Sequence, residues 1–228
     1  FDEAIEKLNQ ALDGIEDKNN QIQQQNDAQY WLGRCYFEQA MQAVGGDSEQ
    51  LFRQAVEHFQ QWLRLTKQLK DENGIQKQIN AQYWLGRCYL EQAKKAQGKE
   101  SEQLFGQAVE YFQQQLSLAA QLADKQNSLQ QQINAQSWLG NCYLEQAKKA
   151  QDKESKQLFG HAVEHLQQRL SLAEQLADKQ NSLQEQNNAQ SWLGRCYFEQ
   201  AKIQQKWERY FDWKKQKIQG DLFGTQEG

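Results

Sequence analysis

The fold class that this 228-residue sequence predicts is all-α, a solenoid of antiparallel helix pairs, and three observations predict it. There is no Pro and there are only 14 Gly, so the turn formers that a sandwich or barrel of short strands needs are scarce. Apolar residues recur at three- and four-residue steps, with 45 Gln spread mostly between them as an uncharged, helix-favouring solvent face. Finally, the chain repeats itself. The segment beginning Ala-Gln-Tyr-Trp-Leu-Gly, with Ser in place of Tyr in the last two copies, occurs four times with Trp31, Trp84, Trp138 and Trp192 as its markers, at spacings of 53, 54 and 54 residues.

The elements follow in order. Residues 1–20, with Ala4, Ile5, Leu8, Ala11 and Leu12, match the second helix of a unit whose first helix is missing, which reads as an excerpt of a longer protein. Residues 21–74 form the first full repeat, 75–127 the second and 128–181 the third. Each contains two amphipathic segments. In the first segment of the third repeat, Ala135, Leu139, Cys142, Tyr143 and Ala147 share a stripe. In the second segment of the second repeat, Phe105, Val109, Phe112 and Leu116 do the same. Gly45, Gly46, Asp47 and Ser48 punctuate the first repeat, and Asn73 with Gly74 ends it. The run from Asp124 to Ser128 is expected to close one helix, with Ser128 and Gln131 as a capping box for the next; Ser182 and Glu185 repeat that pattern. Residues 182–228 are read as the first helix of a fourth repeat plus a divergent terminal helix. Trp207, Tyr210, Phe211, Trp213 and Lys214 make that stretch basic and aromatic, and its expected role is a cap on the last open apolar face rather than a partner or membrane helix. Leu222, Phe223 and Gly224 resemble the opening of a further second helix.

These repeats resemble the tetratricopeptide family. The resemblance rests on Leu32, Gly33, Cys35, Tyr36 and Ala40, followed by Ala55, Val56, Phe59 and Leu63, and on the same pattern in register through four copies. It implies a right-handed superhelix whose inner wall is built from the first helix of each unit. It further implies a structural core of Leu32, Gly33, Cys35, Tyr36, Leu85, Gly86, Cys88, Tyr89, Leu139, Gly140, Cys142, Tyr143, Leu193, Gly194, Cys196 and Tyr197. Two departures stand out. The unit is 54 residues where the family has 34, and the residues leave open whether the extra length extends the helices or forms a loop. The Trp also directly precedes the Leu, instead of standing three residues before it.

Composition and motifs exclude several functions. No apolar run approaches the ~20 residues that span a bilayer, and no signal peptide is visible. Net charge is −4, which argues against a nucleic-acid partner. Phosphate loops and acid–base pairs are missing, so the segment is expected to be non-catalytic, without metal or cofactor. The four Cys fill one slot of each repeat and read as small buried residues of a reducing, cytoplasmic compartment. His161 and His165 stand one turn apart with no further ligand at a supporting spacing, so both are read as solvated surface.

Carrying the family's inner-wall positions across gives four rows that share one helix face. Asp27, Asn80, Asn134 and Asn188 form the first; Tyr30, Tyr83, Ser137 and Ser191 the second. Arg34, Arg87, Asn141 and Arg195 form the third, and Glu38, Glu91, Glu145 and Glu199 the fourth. Asn side chains can bond an extended peptide and Arg can grip a carboxylate, so the expected function is capture of an acidic peptide or protein segment, as scaffold or sensor repeats of a larger protein. Simple Arg–Glu pairing along the helix is the plainer reading of the last two rows. By resemblance, such near-identical bacterial repeats are coupled to nucleotide-binding or protease modules. The second and third repeats agree at 43 of 54 positions, and within residues 80–97 only Tyr83 to Ser137 and Arg87 to Asn141 differ, which suggests a retuned groove. Ile133 to Asn187 reads as surface drift. Two alternatives stand beside this one: self-assembly through the solenoid ends, dependent on Trp207 and Trp213, and an RNA-binding helical array.

Overall fold

Short polar joints divide the chain into helices that a computed structural model describes for residues 1–14, 21–69 and 71–223. They are α1 (Asp2–Asp13), α2 (Gln21–Gln42), α3 (Gly45–Thr66), α4 (Glu72–Lys95), α5 (Gly98–Ala119), α6 (Lys125–Lys149), α7 (Asp152–Ala173) and α8 (Lys179–Phe223). Helices α2/α3, α4/α5 and α6/α7 are the three complete hairpins. The extra residues of each repeat therefore lengthen both helices to between 22 and 25 residues, and only two residues join the helices inside each hairpin.

Glycine starts two of the second helices because the chain turns through a left-handed conformation there, with φ of +62° at Gly45 and +55° at Gly98. The expected capping boxes are corrected by the structure. Asp71, Asp124 and Asp178 are the N-caps, accepting hydrogen bonds from the amides of Gly74, Asn127 and Asn181 at 2.8, 2.7 and 2.7 Å. An ionised carboxylate at the positive end of a helix outcompetes a hydroxyl one turn further in. Ser128 and Ser182 sit within the first turn, buried, and donate instead to the carbonyls of Ala119 and Ala173 at the end of the preceding helix. Asn73–Gly74 likewise lies in the first turn of α4 rather than in a turn between units. Helices α4, α6 and α8 thus begin a few residues ahead of the predicted repeat boundaries.

The three larger hydrophobic clusters each straddle one hairpin and the first helix of the next, while two smaller ones close the far ends of the second and third hairpins. Phe37, Phe52 and Phe59 enclose Leu85 and Cys88; Phe105 and Phe112 enclose Leu139 and Cys142; Phe159 and Leu166 enclose Cys196. A hairpin therefore completes its core only when the next one stacks on it, as a solenoid requires. First helices of successive units touch, whereas second helices do not touch each other, so the stack closes on the first-helix side and opens on the other. The first-helix wall is accordingly the concave one.

The last repeat departs from expectation. α8 runs without interruption for 45 residues, so no turn separates a fourth first helix from a terminal cap folded back on it. Among the described residues no second helix covers Gly194 and Tyr197, which are exposed, while Leu193 is half-buried; the equivalent Gly and Leu of the first three repeats are buried, and the equivalent Tyr36, Tyr89 and Tyr143 are half-buried at the edge of their clusters. Asn187 is exposed where Ile79 and Ile133 are fully buried against α5 and α7, but the first repeat carries Asn26 at the same place, fully buried and donating to the Ile22 carbonyl at 2.8 Å, so Asn at this position is not tied to a missing covering helix. The side chains of Trp207, Tyr210, Phe211, Trp213 and Lys214, and the whole of Gly224, lie outside the described residues.

Candidate functional site

On the concave wall, helical spacing places the four predicted rows side by side, and the structure shows what each side chain already does. In the first two hairpins the Tyr and Arg rows are one unit. Arg34 Nη1 donates to the Tyr30 hydroxyl and Arg87 Nη1 to that of Tyr83, each at 3.0 Å across one helical turn. Each guanidinium then reaches the next repeat. Arg34 lies 4.4 Å from the Trp84 ring centre, and Arg87 lies 4.8 Å from Trp138 and 5.0 Å from Phe37. From the second-helix side, Phe59 stacks on Trp84 at 5.6 Å and Phe112 on Trp138 at 5.8 Å. The arginines thus stitch neighbouring repeats by cation–π contact as well as facing the groove.

This changes the meaning of the two substitutions in the third repeat. Ser137 and Asn141 remove the Tyr–Arg pair together, and Leu166 replaces the stacking Phe in the same repeat. Ser137 turns back to the Ile133 carbonyl at 2.7 Å. The change is one of junction packing, made as a set.

The Glu row is only partly paired with Arg. Glu38 lies 3.7 Å from Arg34, but Glu91, Glu145 and Glu199 bond Lys94, Lys148 and Lys202 at 2.8, 2.6 and 3.0 Å, and Arg195 reaches back to Glu145 at 3.9 Å. Among the described residues Arg87 makes no ion pair, and its Nε is buried without a hydrogen-bond partner. In the outermost row Asp27 lies 3.9 Å from Lys77, while Asn80 and Asn188 accept from Gln76 and Gln184 one turn earlier. Asn80 is exposed and Asn134 half-buried.

The cysteines are free thiols. Cys88, Cys142 and Cys196 are fully buried, and burial pushes their thiols up, Cys196 to about 11; Cys35, half-buried, is raised by the same cause. Neutral, inert thiols are the result. Among the described residues no group of three or more His, Cys, Asp and Glu is arranged to hold a metal.

Sequence reasoning placed His165 on the solvated surface, and the structure corrects this. His165 stacks on Tyr143 at 5.3 Å with its Nδ1 2.7 Å from Gln136 Oε1. His58 repeats the arrangement on Tyr36 and Gln29, and Tyr111 takes the place on Tyr89. These are within-hairpin stacks, half-buried because a ring one helix away covers one face. His161 is exposed and tilts against Tyr143.

Two further devices were missed. Lys95 donates to the Ala40 carbonyl and Ser48 hydroxyl at 3.1 and 2.6 Å. Lys149 donates to the carbonyls of Ala93, Lys94 and Ala96 at 2.7, 2.8 and 2.7 Å. Each lysine therefore caps the C-terminus of the previous repeat's first helix, where its charge is favoured. Their 54-residue recurrence was visible, and so was their replacement by Ile203 in the last repeat. Across the α7–α8 junction, Arg169 and Glu185 form a 2.6 Å ion pair with only 7% and 16% of their side chains exposed. The previous junction has Gln115 and Gln131 in these places. On the open side, grooves between second helices are floored by Gln25 and Gln29, then by Gln132 and Gln136. No helix of the described residues is long and apolar enough to cross a membrane. Compared with known proteins, the chain matches no family model and no curated protein.

Proposed function

We propose that this chain is a non-catalytic, tetratricopeptide-like recognition module of the cytoplasm, capturing an acidic peptide or protein segment along its concave wall for a larger protein that it serves as scaffold or sensor. The observation that carries the reading is Arg87. Its guanidinium is held flat by Trp138, Phe37 and the Tyr83 hydroxyl, and no carboxylate of the described residues neutralises it. A cation already oriented in a groove loses little freedom on binding, so a ligand carboxylate gains a charge-assisted bond at low entropic cost. Asn80, about two turns earlier on the same helix, and Asn134, its counterpart in the next repeat, offer amides to the backbone of the same segment. The four free thiols accord with a reducing compartment.

The test is selection from a randomised peptide display library on the parent chain and on Arg87→Gln, with helicity checked by circular dichroism. Acidic peptides enriched by the parent are expected to bind the variant about tenfold more weakly, the cost of one charged hydrogen bond. Equal enrichment by both proteins, or no acidic preference, would sink the assignment.

A further inference from the structure

The two outer hairpins each keep a buried amide donor that the middle hairpin uses up. His165 Nδ1 donates to Gln136 Oε1 at 2.7 Å, and His58 Nδ1 does the same to Gln29 Oε1, so in both places the glutamine carbonyl is taken. Gln136 is 5% exposed, and its Nε2 makes no hydrogen bond among the described residues. In the middle hairpin Tyr111 stands where the histidines stand. There Gln82 Nε2 donates across to Gln114 Oε1 at 2.9 Å, and Gln82 Oε1 is buried without a partner. The ring at this position therefore decides whether the glutamine has a donor to offer.

Gln136 also floors a cavity of about 480 Å³, the groove between α5 and α7 on the side away from the concave wall. That volume is ordinary for a ligand site, which runs to roughly 300–1,000 Å³. Gln132, one turn earlier, has its amide nitrogen bonded to Ser128 Oγ at 3.0 Å, so its carbonyl is the group turned to the groove. Ser117 of α5 and Ser171 of α7, both exposed, bring hydroxyls to the two walls, and half-buried Leu116 and Leu172 give each wall an apolar patch. Among the described residues no charged or aromatic side chain lines it. In the groove floored by Gln29, by contrast, Arg64 takes the place of Ser171. A charged ligand between α5 and α7 would shed water and meet no counter-charge. A sugar would find no ring to stack on. A neutral chain of alternating carbonyls and N–H groups meets a fixed donor, an acceptor and two hydroxyls.

We propose that the groove between α5 and α7 binds an extended, uncharged polypeptide segment, a backbone carbonyl of the segment accepting from Gln136 Nε2 and its small apolar side chains resting on Leu116 and Leu172. His165 is the positioning residue. It touches no ligand, and by holding Gln136 Oε1 it leaves the amide nitrogen to the groove. Side chains of an extended segment alternate in direction, so those pointing away from the floor are free to vary. The site lies on the opposite wall from Arg87, and the two readings stand or fall separately.

A display library of hexapeptides built only from uncharged residues tests it, the selected sequences being remade with blocked ends and titrated by fluorescence anisotropy. Ser171→Arg copies the residue that the first repeat already carries at this slot, so the fold accepts it, and it puts a charge into the groove. It is expected to weaken binding more than about tenfold, the cost of stranding that charge against a neutral segment. His165→Tyr copies the middle hairpin and lets Gln136 turn to Gln168, as Gln82 turns to Gln114. The expected loss is roughly fivefold, one neutral hydrogen bond, with no lining residue altered. Gln136→Met is expected to cost as much in the parent and nothing further on top of His165→Tyr, because the donor is already withdrawn. Arg87→Gln is expected to change nothing. A library that yields no binder, or binders that Ser171→Arg holds as well as the parent or that Arg87→Gln loses, would overturn the proposal. Additive losses from His165→Tyr and Gln136→Met would overturn the positioning role. Self-association of the parent that Ser171→Arg abolishes would make the occupant a second copy and overturn the peptide assignment.

Discussion

The junction between the first two repeats and the junction between the last two are built on the same backbone plan from different chemistry. At the first, Phe59, Trp84 and Arg34 form a layered stack, and Lys95 ties the end of α2 to α4. At the last, Leu166 and Asn141 stand in place of Phe and Arg, Ile203 replaces the lysine, and the Arg169–Glu185 pair crosses from α7 to α8. Trp192 takes its cation from Arg195 on its own helix, at 4.9 Å. Phe and Arg give way to the smaller Leu166 and Asn141, and the polarity of the junction changes with the Arg169–Glu185 pair. A solenoid tolerates this readily, since each junction answers only to its two neighbours. Breaking one member of a set should therefore cost much more than exchanging the set.

The largest effect is expected where backbone and ring leave no space. Gly86→Leu forces a side chain into the Phe112 ring, whose nearest atom is 2.7 Å from the Cβ direction. Overpacking of this kind is expected to cost about 3 kcal/mol, read as a lowered urea midpoint. Gly194→Leu, the same change where nothing lies within 4 Å, should instead stabilise by up to about 1 kcal/mol through helix propensity. Equal destabilisation at both sites would show that Gly serves the helix and not the junction.

Next comes the buried pair. Arg169→Met leaves the Glu185 carboxylate nearly buried without its cation, and a loss of roughly 3 kcal/mol is expected. The double change Arg169→Gln with Glu185→Gln transplants the second junction's chemistry and should stay within about 1 kcal/mol of the parent. A double variant as weak as the single one would mean the pair supplies stability that amides cannot replace. Smaller again is Lys149→Met, which removes the donor from three carbonyls at the end of α4. It is expected to cost about 0.5–1 kcal/mol, because the contacts to the Lys94 and Ala96 carbonyls are exposed and the Ala93 carbonyl keeps its bond from the Ser101 hydroxyl.

Much of this organisation was legible in the sequence, and the rest was hidden for physical reasons. Helix pairs, their order and the buried slots of Cys88 and Cys142 follow from periodicity, which reports the side of a helix that faces its neighbours. The caps were misassigned because Ser128 and Asp124 are both good cap residues, and only the location of the first turn decides between them. The groove rows fell on one face as spacing demands, but nothing in a single repeat reveals that Arg34 reaches Trp84, a contact between residues 50 apart. His165 was misplaced for the same reason: its covering ring, Tyr143, belongs to another helix.

The smallest effect separates the outer hairpins from the middle one by pH. His58 and His165 are held below the ordinary histidine value of 6.5, chiefly because burial against Tyr36 and Tyr143 penalises the charged ring, and only in part opposed by Glu57 and Glu164. At His165 the neighbouring His161 adds to the lowering. Gln29 and Gln136 face each Nδ1 with a carbonyl oxygen, which a neutral ring already satisfies. A group whose pKa falls on folding binds more protons in the unfolded chain, so stability is full above pH 6.5 and declines as pH drops from there through the lowered value. The middle hairpin carries Tyr111 at this position and so has no imidazole there. Replacing both histidines by tyrosine should therefore flatten the acid limb of the thermal-stability profile below pH 6.5 while leaving the neutral side nearly unchanged. An acid limb of the same slope in the double variant would assign the loss to the carboxylates of the surface network instead.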